Sequence, residues 1–540
     1  MDPFFIYTIC FYIGVGITIL SNFLSLFHWI ILFLLNLYRT GLQWMECTFL
    51  LRRHGCIGPW SLFSVVSGGL YLVANAMGIL GWWPLSVTSS DAIKRTGYLA
   101  LLNIMPLFIS FDLSFIADSL YISLRASRDI HRLAGLTAIC HIIAHLTIML
   151  ASGDHFQNTK WTDDSYISKY LSIICLTAGP TIGFILIPLL QLRRKHYELS
   201  SWFHLILTAS LVTGIFLHLQ SEGLFKQTGF LRYTYIYGGV VTLSLILQAI
   251  VFLGRNVRGL SLPKARCRLV GDSVVVNLEL PTEIKLRPGQ YFRIWLPRVQ
   301  LMSSHPFTVS TWSEQRQRNV RFIVEQRRGF TQELASTLGK KQESLNFTAI
   351  ISGPHGAQIC LRSFHYIVMI ATGYGVVPML AFMKRLLCRP HRGFRRMILI
   401  WEYFDFNSDL LKEIIEADFN NLLTLDDPPK RLCICVYDHM HHNPRVVGEN
   451  NRFFYPEGSP KMDENFNVET GLTSTFENRC EANDKVLVIG IYTLMRINDN
   501  KANIEVSAKF NVRDEVRLKI QNTTAKVTLK ELDYQPYGAL

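Results

Sequence analysis

Two pairs of histidines lie at the same spacing within long apolar stretches of this sequence. His131 and His145 are fourteen residues apart, and so are His204 and His218. Fourteen residues of α-helix turn by about 1400°, which is about 40° short of four full turns. Both imidazoles of a pair therefore face one side of the helix, about 21 Å apart along its axis. Histidine inside a membrane span is costly and usually has a function.

Equal spacing on two helices predicts facing pairs of imidazoles. If the helices run parallel, His131 lies level with His204, and His145 lies level with His218. A hydrocarbon layer is about 30 Å thick, so one pair would lie near each edge. Such pairs suit the axial positions of two stacked haems, whose irons then pass electrons without binding a substrate. His141 is a competing ligand because it shares a helix face with His145. The plainer interpretation is that all of these are hydrogen-bonded core histidines.

The first half of the chain has the composition of a multi-span α-helical membrane bundle, which we assign to residues 1–258. About twenty apolar residues are needed to cross a bilayer. Seven segments reach that length, namely 4–37, 60–83, 97–117, 131–152, 168–190, 200–219 and 234–254. The start Met-Asp lacks the basic region of a signal peptide, so we expect the first segment to be retained.

Basic residues predict the orientation of this bundle. Eleven Lys and Arg residues fall in the loops 38–59, 118–132, 191–199 and 255–258, whereas the opposite set of loops holds five. Loops rich in Lys and Arg stay in the cytosol. We therefore expect an integral, multi-pass protein of the plasma membrane, with its N-terminus outside and its C-terminal half in the cytosol.

The second half predicts two cytosolic domains. Short β-branched runs at 266–270, 273–280, 291–296 and 320–324, with a Pro288-Gly289 turn, indicate an antiparallel β-barrel over residues 259–365. Strands alternate with helices after that, which predicts an α/β domain with a parallel sheet over 366–540. Its further strands are expected at 397–402, 433–437, 485–492, 503–507 and 526–531, with an amphipathic helix at 408–424 and a polar surface insertion at 439–482.

One turn of the α/β domain has the pattern of a phosphate-binding loop. The buried strand at 366–371 runs into Gly373 and Gly375, and a helix follows. Glycines let backbone N–H groups and a helix N-terminus approach an anion. Pro378 stands where a dinucleotide loop would carry its third glycine, so this loop alone is a weak signal.

The order of these motifs is more informative than any one of them. The four histidines are followed by ProGlyGlnTyr at 288–291, HisProPheThr at 305–308, GlyProHisGly at 353–356 and GlyTyrGlyValValPro at 373–378. From about residue 60 to the end, the chain resembles the fungal ferric-chelate reductases of the ferric reductase and NADPH oxidase superfamily. The resemblance implies electron transfer from cytosolic NADPH through FAD and two b-type haems to an extracellular ferric or cupric chelate.

The resemblance also implies roles for individual residues, none of which is an acid–base catalyst. His131, His145, His204 and His218 match the haem ligands. The flavin side matches His305, Pro306, Phe307 and Thr308, with Gly329 to Thr331 beside the flavin phosphates. The nicotinamide-nucleotide side matches Gly353, Pro354, Gly356, Gly373, Gly375 and Pro378.

Two positions depart from that match. His355 replaces a tyrosine common in the family, and Ser507 stands where many members carry a cysteine near the nicotinamide ring. Serine there predicts slower hydride transfer or an altered nucleotide preference. Near the C-terminus, either Tyr534 or Tyr537 is positioned to stack on the flavin.

Two other functions stay open at this point. One is a superoxide-generating NADPH oxidase, and the other is a membrane transporter or receptor whose cytosolic domain binds nucleotide without redox chemistry. The net charge of +13 does not indicate nucleic-acid binding. Much of it lies in the cytosolic loops, where it orients the protein and meets anionic lipid. The eleven cysteines contain no CxxC pair, so we expect reduced thiols.

Overall fold

The structure is a computed structural model. It describes most of residues 60–403, with gaps at loops and at 153–174 and 187–196. It also describes scattered residues between 30 and 51, parts of 418–438, and the short segments 445–447, 453–455, 485–491 and 526–531.

The membrane half is built from helices that expose large apolar side chains. A short strand pair, β1 (Phe49–Leu51) and β2 (Trp60–Ser61), precedes the first of them. The helices are α1 (Leu62–Leu80), α2 (Ser89–Ile104), α3 (Leu113–Leu120), α4 (Leu124–Ser152), α5 (Cys175–Leu186), α6 (Tyr197–Ser221) and α7 (Thr228–Asn256). Outward leucine, isoleucine and phenylalanine side chains suit a lipid environment, because a soluble protein rarely exposes so much contiguous apolar surface.

Four of these helices, α1, α4, α6 and α7, are long and apolar enough to cross a membrane. A fifth span results if Ser89–Phe108 and Leu113–Leu120, which are bent by 91°, form one broken span. The described residues thus hold fewer spans than the seven predicted, and most of segment 4–37 lies outside them. Helix α5 coincides with the middle of the predicted segment 168–190 but is short.

The predicted span 97–117 is wrong as a single helix. Helix α2 ends in a 3₁₀ turn at Met105–Phe108, which contains Pro106. Proline lacks a backbone N–H and cannot continue the α-helical hydrogen bonds. Asp112 then starts α3, since its carboxylate accepts a hydrogen bond from the Ser114 N–H at 2.9 Å.

The barrel domain forms two antiparallel sheets. One has the order β7-β4-β3-β8 and the other has the order β6-β5-β9. The strands are β3 (Lys264–Val270), β4 (Ser273–Ile284), β5 (Tyr291–Trp295), β6 (His305–Thr308), β7 (Gln317–Glu325), β8 (Leu345–Thr348) and β9 (Ile350–His355). Burial alternates along β3, as expected for a strand with one face on the core. Helix α8 (Phe330–Gly339) packs on the same core.

The α/β domain has one sheet of seven described strands. Their order is β13-β14-β12-β11-β10-β15-β16, and every pairing is parallel except that of β13 with β14. The strands are β10 (Tyr366–Thr372), β11 (Arg396–Tyr403), β12 (Leu432–Asp438), β13 (Arg445–Val447), β14 (Phe453–Tyr455), β15 (Lys485–Ile491) and β16 (Lys526–Glu531). Strand β10 is buried along its whole length, which is typical of a central parallel strand covered on both faces.

One detail differs from the sequence prediction for this domain. Part of the predicted surface insertion 439–482 forms β13 and β14, which extend the sheet at one edge. Only 418–425 of the predicted helix 408–424 is described, and it is helical. The predicted strand 503–507 lies outside the described residues. Helix α9 (Val376–Cys388) follows the glycine turn, as predicted.

Candidate functional site

The two predicted histidine pairs face each other in the structure. The ring centres of His131 and His204 are 6.2 Å apart, and those of His145 and His218 are 6.1 Å apart. The same fourteen-residue step therefore separates the pairs on both helices, so α4 and α6 run parallel. We call His131 and His204 the inner pair, because they are nearer the barrel, and His145 and His218 the outer pair.

The separation of the rings tests whether a haem suits these positions. A metal–imidazole bond is about 2 Å long and the ring centre lies about 1 Å beyond the nitrogen, so two imidazoles on one metal have centres about 6 Å apart. Both pairs meet that value. The rings are tilted by 52° in the inner pair and by 70° in the outer pair. The donor set, two imidazoles per level in a helical bundle, fits a bis-histidine haem.

The outer pair has a supporting contact of the kind that metal-bound histidines have. The Nδ1–H of His145 donates to the Ile93 carbonyl at 2.8 Å. That bond fixes the tautomer, so Nε2 is the nitrogen whose lone pair is suited to a metal. Gly97, one turn further along α2, leaves the space that the ring occupies, since a Cβ there would lie 3.2 Å from His145 Nδ1.

His141 belongs to a different network. Its Nε2 lies 3.0 Å from Asn75 Oδ1, which also accepts from the Asn103 amide at 2.7 Å. Tyr71 donates a hydrogen bond to Asn103 in turn. This polar cluster joins α1, α2 and α4, and His141 is buried within it. The geometry therefore favours His145 over His141 as the partner of His218.

The inner pair is adjacent to the barrel. His131 lies seven residues after Leu124, which is about 10 Å along α4. Leu124 packs against Tyr291 of the barrel. The ring of Phe184 lies 5.2 Å from that of His204 and backs it on the α5 side.

The predicted flavin segment forms strand β6 beside β5. Tyr291 pairs with Thr308, Phe292 with Phe307, and Ile294 with His305. This regular pairing places His305, Pro306, Phe307 and Thr308 at the edge of the three-stranded sheet.

His305 is stacked on Phe330, with ring centres 4.5 Å apart and planes within 15°. Its Nε2 lies 3.2 Å from Gln300 Oε1. Burial, with a smaller contribution from the nearby Arg293 guanidinium, lowers the pKa of His305 to about 4. The imidazole is therefore neutral near pH 7.

Gly329 to Thr331 form the start of α8. Gly329 has φ +88°, a conformation that glycine adopts without strain. The Thr331 hydroxyl accepts from the Arg327 N–H at 2.7 Å and donates to the Arg327 carbonyl at 2.9 Å. Its observed contacts are therefore with the turn itself, and the backbone N–H groups of the helix start are the groups suited to an anion.

The glycine turn after β10 lies at the switch point of the parallel sheet. The chain proceeds from β10 to β11 on one side and later to β15 on the other side. Ligands of open α/β sheets bind at this position. Gly373 has φ +52°, and its carbonyl accepts from Trp401 Nε1 at 2.9 Å. Gly375 precedes α9, and Pro378 lies in its first turn, where a missing N–H costs nothing.

The glycine turn also contacts the barrel. Tyr374 and Ser273 are joined by a hydrogen bond between their hydroxyls at 2.5 Å. An ion pair links Arg321 of β7 to Asp418 of the α/β domain. These two contacts hold the barrel and the α/β domain together.

Gly353 and Gly356 lie on the side of the barrel that meets the membrane helices. Both have positive φ, +125° and +114°. A Cβ on Gly353 would lie 3.0 Å from the Tyr291 carbonyl, and one on Gly356 would lie 3.3 Å from the Gly289 carbonyl. The Gly356 N–H donates to Asp118 of α3 at 3.0 Å. Pro354, between them, is the second residue of a cis peptide bond.

Some site residues were missed in the sequence, and others lie outside the described part. Ser507, Tyr534 and Tyr537 belong to the latter group. The missed residues are Asp112 and Asp118 beneath β9, and the stacking of Phe330 on His305 was not predicted either. Asp112 carried a usable signal, because an ionisable residue within a predicted membrane segment is itself a hint of function.

Comparisons with known proteins agree with this architecture. Residues 260–359 match the model of the FAD-binding domain family. The ferric/cupric reductase transmembrane component 1 of Candida albicans is 28% identical over 258 residues, which is 46% of this chain and 31% of that protein. The ferric/cupric reductase transmembrane component 7 of Saccharomyces cerevisiae is 22% identical over 194 residues, 36% of this chain and 30% of that protein.

Over these stretches the chain is similar to fungal ferric/cupric reductase components. This confirms the family resemblance that the motifs indicated. The match spans less than a third of the length of either relative just named. A flavohemoglobin of Malassezia yamatoensis aligns with 83% of this chain and 99% of its own, at a TM-score of 0.36 and 14% identity. A TM-score this low does not establish a shared fold.

Proposed function

We propose that this protein is a transmembrane metalloreductase that takes electrons from cytosolic NADPH and delivers them to ferric or cupric chelates outside the cell. The observation that carries the proposal is the pair of facing imidazoles at each of two levels, 6.2 and 6.1 Å between ring centres. FAD, when bound, converts a two-electron hydride into single electrons, and two b-type haems supply a route for those electrons through the hydrocarbon layer.

In this proposal the membrane helices hold iron at two levels. His131 and His204 would hold the haem at the inner level, and His145 and His218 would hold the haem at the outer level. A haem held by two protein imidazoles would supply electron transfer and would not bind oxygen or substrate. The Ile93 carbonyl orients the His145 ring by accepting a hydrogen bond from its Nδ1–H.

The barrel and the α/β domain position the other two cofactors. His305, Pro306, Phe307 and Thr308 form the flavin edge, with Phe330 packed under His305. A neutral His305 adds no charge beside the flavin near pH 7. The turn at Gly373 to Gly375 and the start of α9 offer backbone N–H groups to the nucleotide phosphates. Gly353, Pro354 and Gly356 shape the end of β9 on the membrane side of the barrel. Ser507 is proposed to lie near the nicotinamide ring.

The orientation is supported by where the barrel attaches. It contacts Asp112, Asp118 and Leu124, at the end of the bundle where Arg125, Arg128 and Arg132 lie at the start of α4. Arginine-rich ends of membrane spans are cytosolic. We therefore propose a cytosolic reductase half and a plasma-membrane location.

Sealed right-side-out vesicles test the proposal. Vesicles loaded with NADPH should reduce an impermeant ferric chelate outside at equal rates under air and under nitrogen, whereas empty vesicles should not reduce it. Reduction that disappears under nitrogen and is replaced by superoxide under air would identify an oxidase instead. Absence of any haem band after dithionite treatment of the purified protein would rule out both redox functions.

A further inference from the structure

The barrel and the membrane helices meet through a small polar cluster that the histidine pairs do not use. The cluster, which we call the joint, consists of Asp112 and Asp118 from the membrane half and Ser352 and His355 from the barrel. Its members come from residues about 240 positions apart in the chain. A contact of this kind fixes how two domains sit on each other.

His355 is the centre of the joint. Its Nδ1 lies 2.7 Å from Asp118 Oδ2, and its Nε2 lies 2.8 Å from Ser352 Oγ and 3.5 Å from Asp112 Oδ2. The second oxygen of Asp118 accepts from the Gly356 N–H at 3.0 Å. The His355 side chain is only 7% exposed. Buried charge-assisted hydrogen bonds are among the stronger polar contacts in proteins.

The arrangement Ser352–His355–Asp118 has the connectivity of a hydrolytic triad, but its surroundings exclude that role. The Ser352 hydroxyl donates to Asp112 at 3.1 Å, so a carboxylate occupies the position that a substrate carbonyl would need. Ser352 also lies within β9, paired with Arg293 of β5, and not on an exposed turn. A nucleophile must be open to its substrate and close to oxyanion donors.

A second attachment lies beside the joint. The Asn256 side chain, at the end of α7, donates to the Ile351 carbonyl and accepts from the Ile351 N–H, each at 2.7 Å. Arg293 of β5 lies 4.0 Å from Asp112. Two attachments on one edge strand restrict rotation of the barrel as well as its separation from the bundle.

Strand order connects the joint to the flavin segment. In the sheet β6-β5-β9, Tyr291 of β5 pairs with His355 on one side and with Thr308 on the other side. Neighbouring strands are about 4.8 Å apart, so His355 and the flavin edge are separated by about 10 Å of hydrogen-bonded sheet. Tyr291 also packs against Leu124, the first residue of the helix that carries His131.

We propose that His355 is a positioning residue, which docks the barrel on Asp118 and Asp112 and so sets the distance between the flavin edge and the inner histidine pair. The proposal rests on the proposed function for its kinetic consequence, but the docking itself does not. A displacement of β9 also displaces β5 and β6, because the three strands are hydrogen-bonded into one sheet. Small displacements of reacting groups reduce rates strongly.

The test compares Asp118→Ala and His355→Gln with wild type in the full-length protein in lipid nanodiscs. Asp129→Ala is the matched control, because Asp129 is an acidic residue of α4 that pairs with Arg132 outside the joint. The first measurement is amide hydrogen exchange of 350–356, with β7 residues 318–325 as the internal reference for a folded barrel. The second is the single-turnover rate of haem reduction relative to flavin reduction.

We expect faster exchange at 350–356 in Asp118→Ala, with β7 unchanged, since opening of a local unit raises exchange only there. Haem reduction should slow about tenfold or more, because the flavin edge is no longer held at its distance from the inner pair, while flavin reduction by NADPH keeps its rate. The more conservative His355→Gln should lie between Asp118→Ala and wild type, and Asp129→Ala should match wild type.

Unchanged exchange at 350–356 in Asp118→Ala would overturn the docking role. Faster exchange with an unchanged haem-to-flavin rate ratio would overturn the positioning role. A wild-type protein without haem or flavin absorbance would refute the proposed function instead, and the exchange measurement would still decide whether the joint docks the barrel.

Discussion

Histidine has different surroundings in the two halves of this protein. In the membrane half, His131 faces His204 and His145 faces His218 across gaps of about 6 Å between ring centres. In the reductase half, His305 lies against Gln300 and Phe330, and His355 lies between two carboxylates and a serine.

The difference shows how a ligand position can be recognised in a protein with sixteen histidines. A metal-binding histidine needs one nitrogen directed at the metal, and its other nitrogen is held by a donor–acceptor contact. Within the outer pair, His145 meets that requirement through the Ile93 carbonyl. His355 and His141 instead direct a ring nitrogen at a side-chain oxygen of their own half or of the neighbouring half. Residue type alone does not separate these cases, but the partner of each nitrogen does.

The largest expected effect comes from removing one outer ligand. Under the proposed function, His218→Ala removes one of the two imidazoles that would hold the outer haem. Loss of a supporting contact at a metal site costs about 10–100-fold, so loss of a ligand should lower extracellular ferric reduction by more than that. Flavin reduction by NADPH should persist, because the reductase half is untouched. Rates of chelate reduction and flavin bleaching on the same preparation measure this. Normal iron reduction would contradict the ligand assignment.

A smaller effect is expected from a methyl group placed against the His145 ring. Gly97→Ala places a methyl group 3.2 Å from His145 Nδ1 and should displace the ring from the Ile93 carbonyl. We expect about tenfold weaker retention of the outer haem, with the inner haem unaffected. Gly69→Ala is the control, because a Cβ at this helical position meets nothing within 4 Å. Equal haem retention in both variants would show that the space left by Gly97 does not determine the position of the His145 ring.

His305 should make the stability of the folded reductase half depend on pH. Its pKa is about 4 in the folded protein, below the ordinary value of 6.5. Below pH 6.5 the unfolded chain binds a proton that the folded protein does not bind, so stability falls between pH 6.5 and 4 and is unaffected by this group above that range. Partial exposure limits the loss to about 1–3 kcal/mol.

Denaturation of the reductase half in wild type and His305→Gln, at pH values from 4 to 7.5, measures this effect. The variant lacks the titrating group, so the gap between the two stability curves should change across that range. Parallel curves would contradict the shifted pKa.

The smallest effect on haem is expected at His141. His141→Ala should leave the haem content unchanged, because this ring bonds to Asn75 and does not face His218. It should still lower thermal stability, since a buried ring is removed and Asn75 Oδ1 keeps only its hydrogen bond from Asn103. Haem quantification together with a melting curve checks both expectations. Loss of one haem in this variant would show that His141, and not His145, is the ligand.

Local patterns in the sequence predicted much of this architecture. The fourteen-residue step predicted both facing pairs, because helix geometry repeats whatever the surroundings. Strands β3, β4, β5, β7, β10, β11 and β12 were predicted close to their observed bounds, since alternating or continuous apolar runs reflect burial of each strand by itself. The glycine turn at Gly373 followed from strand, turn and helix in order.

Long-range contacts were not predicted, for a physical reason. The joint brings Asp118 to His355 across 237 positions, and neither residue has a local signal for the other. The break in the span 97–117 did have one, since Pro106 interrupts helical hydrogen bonding. Strands β13 and β14 were missed because three-residue strands are stabilised by a neighbouring strand and not by their own sequence.

Haem content per polypeptide tests the central claim most directly. Pyridine haemochrome absorbance of purified, monodisperse protein, divided by protein concentration from amino-acid analysis, should give two haems per chain. One haem or none in such a preparation would contradict the assignment of the two facing imidazole pairs as ligands.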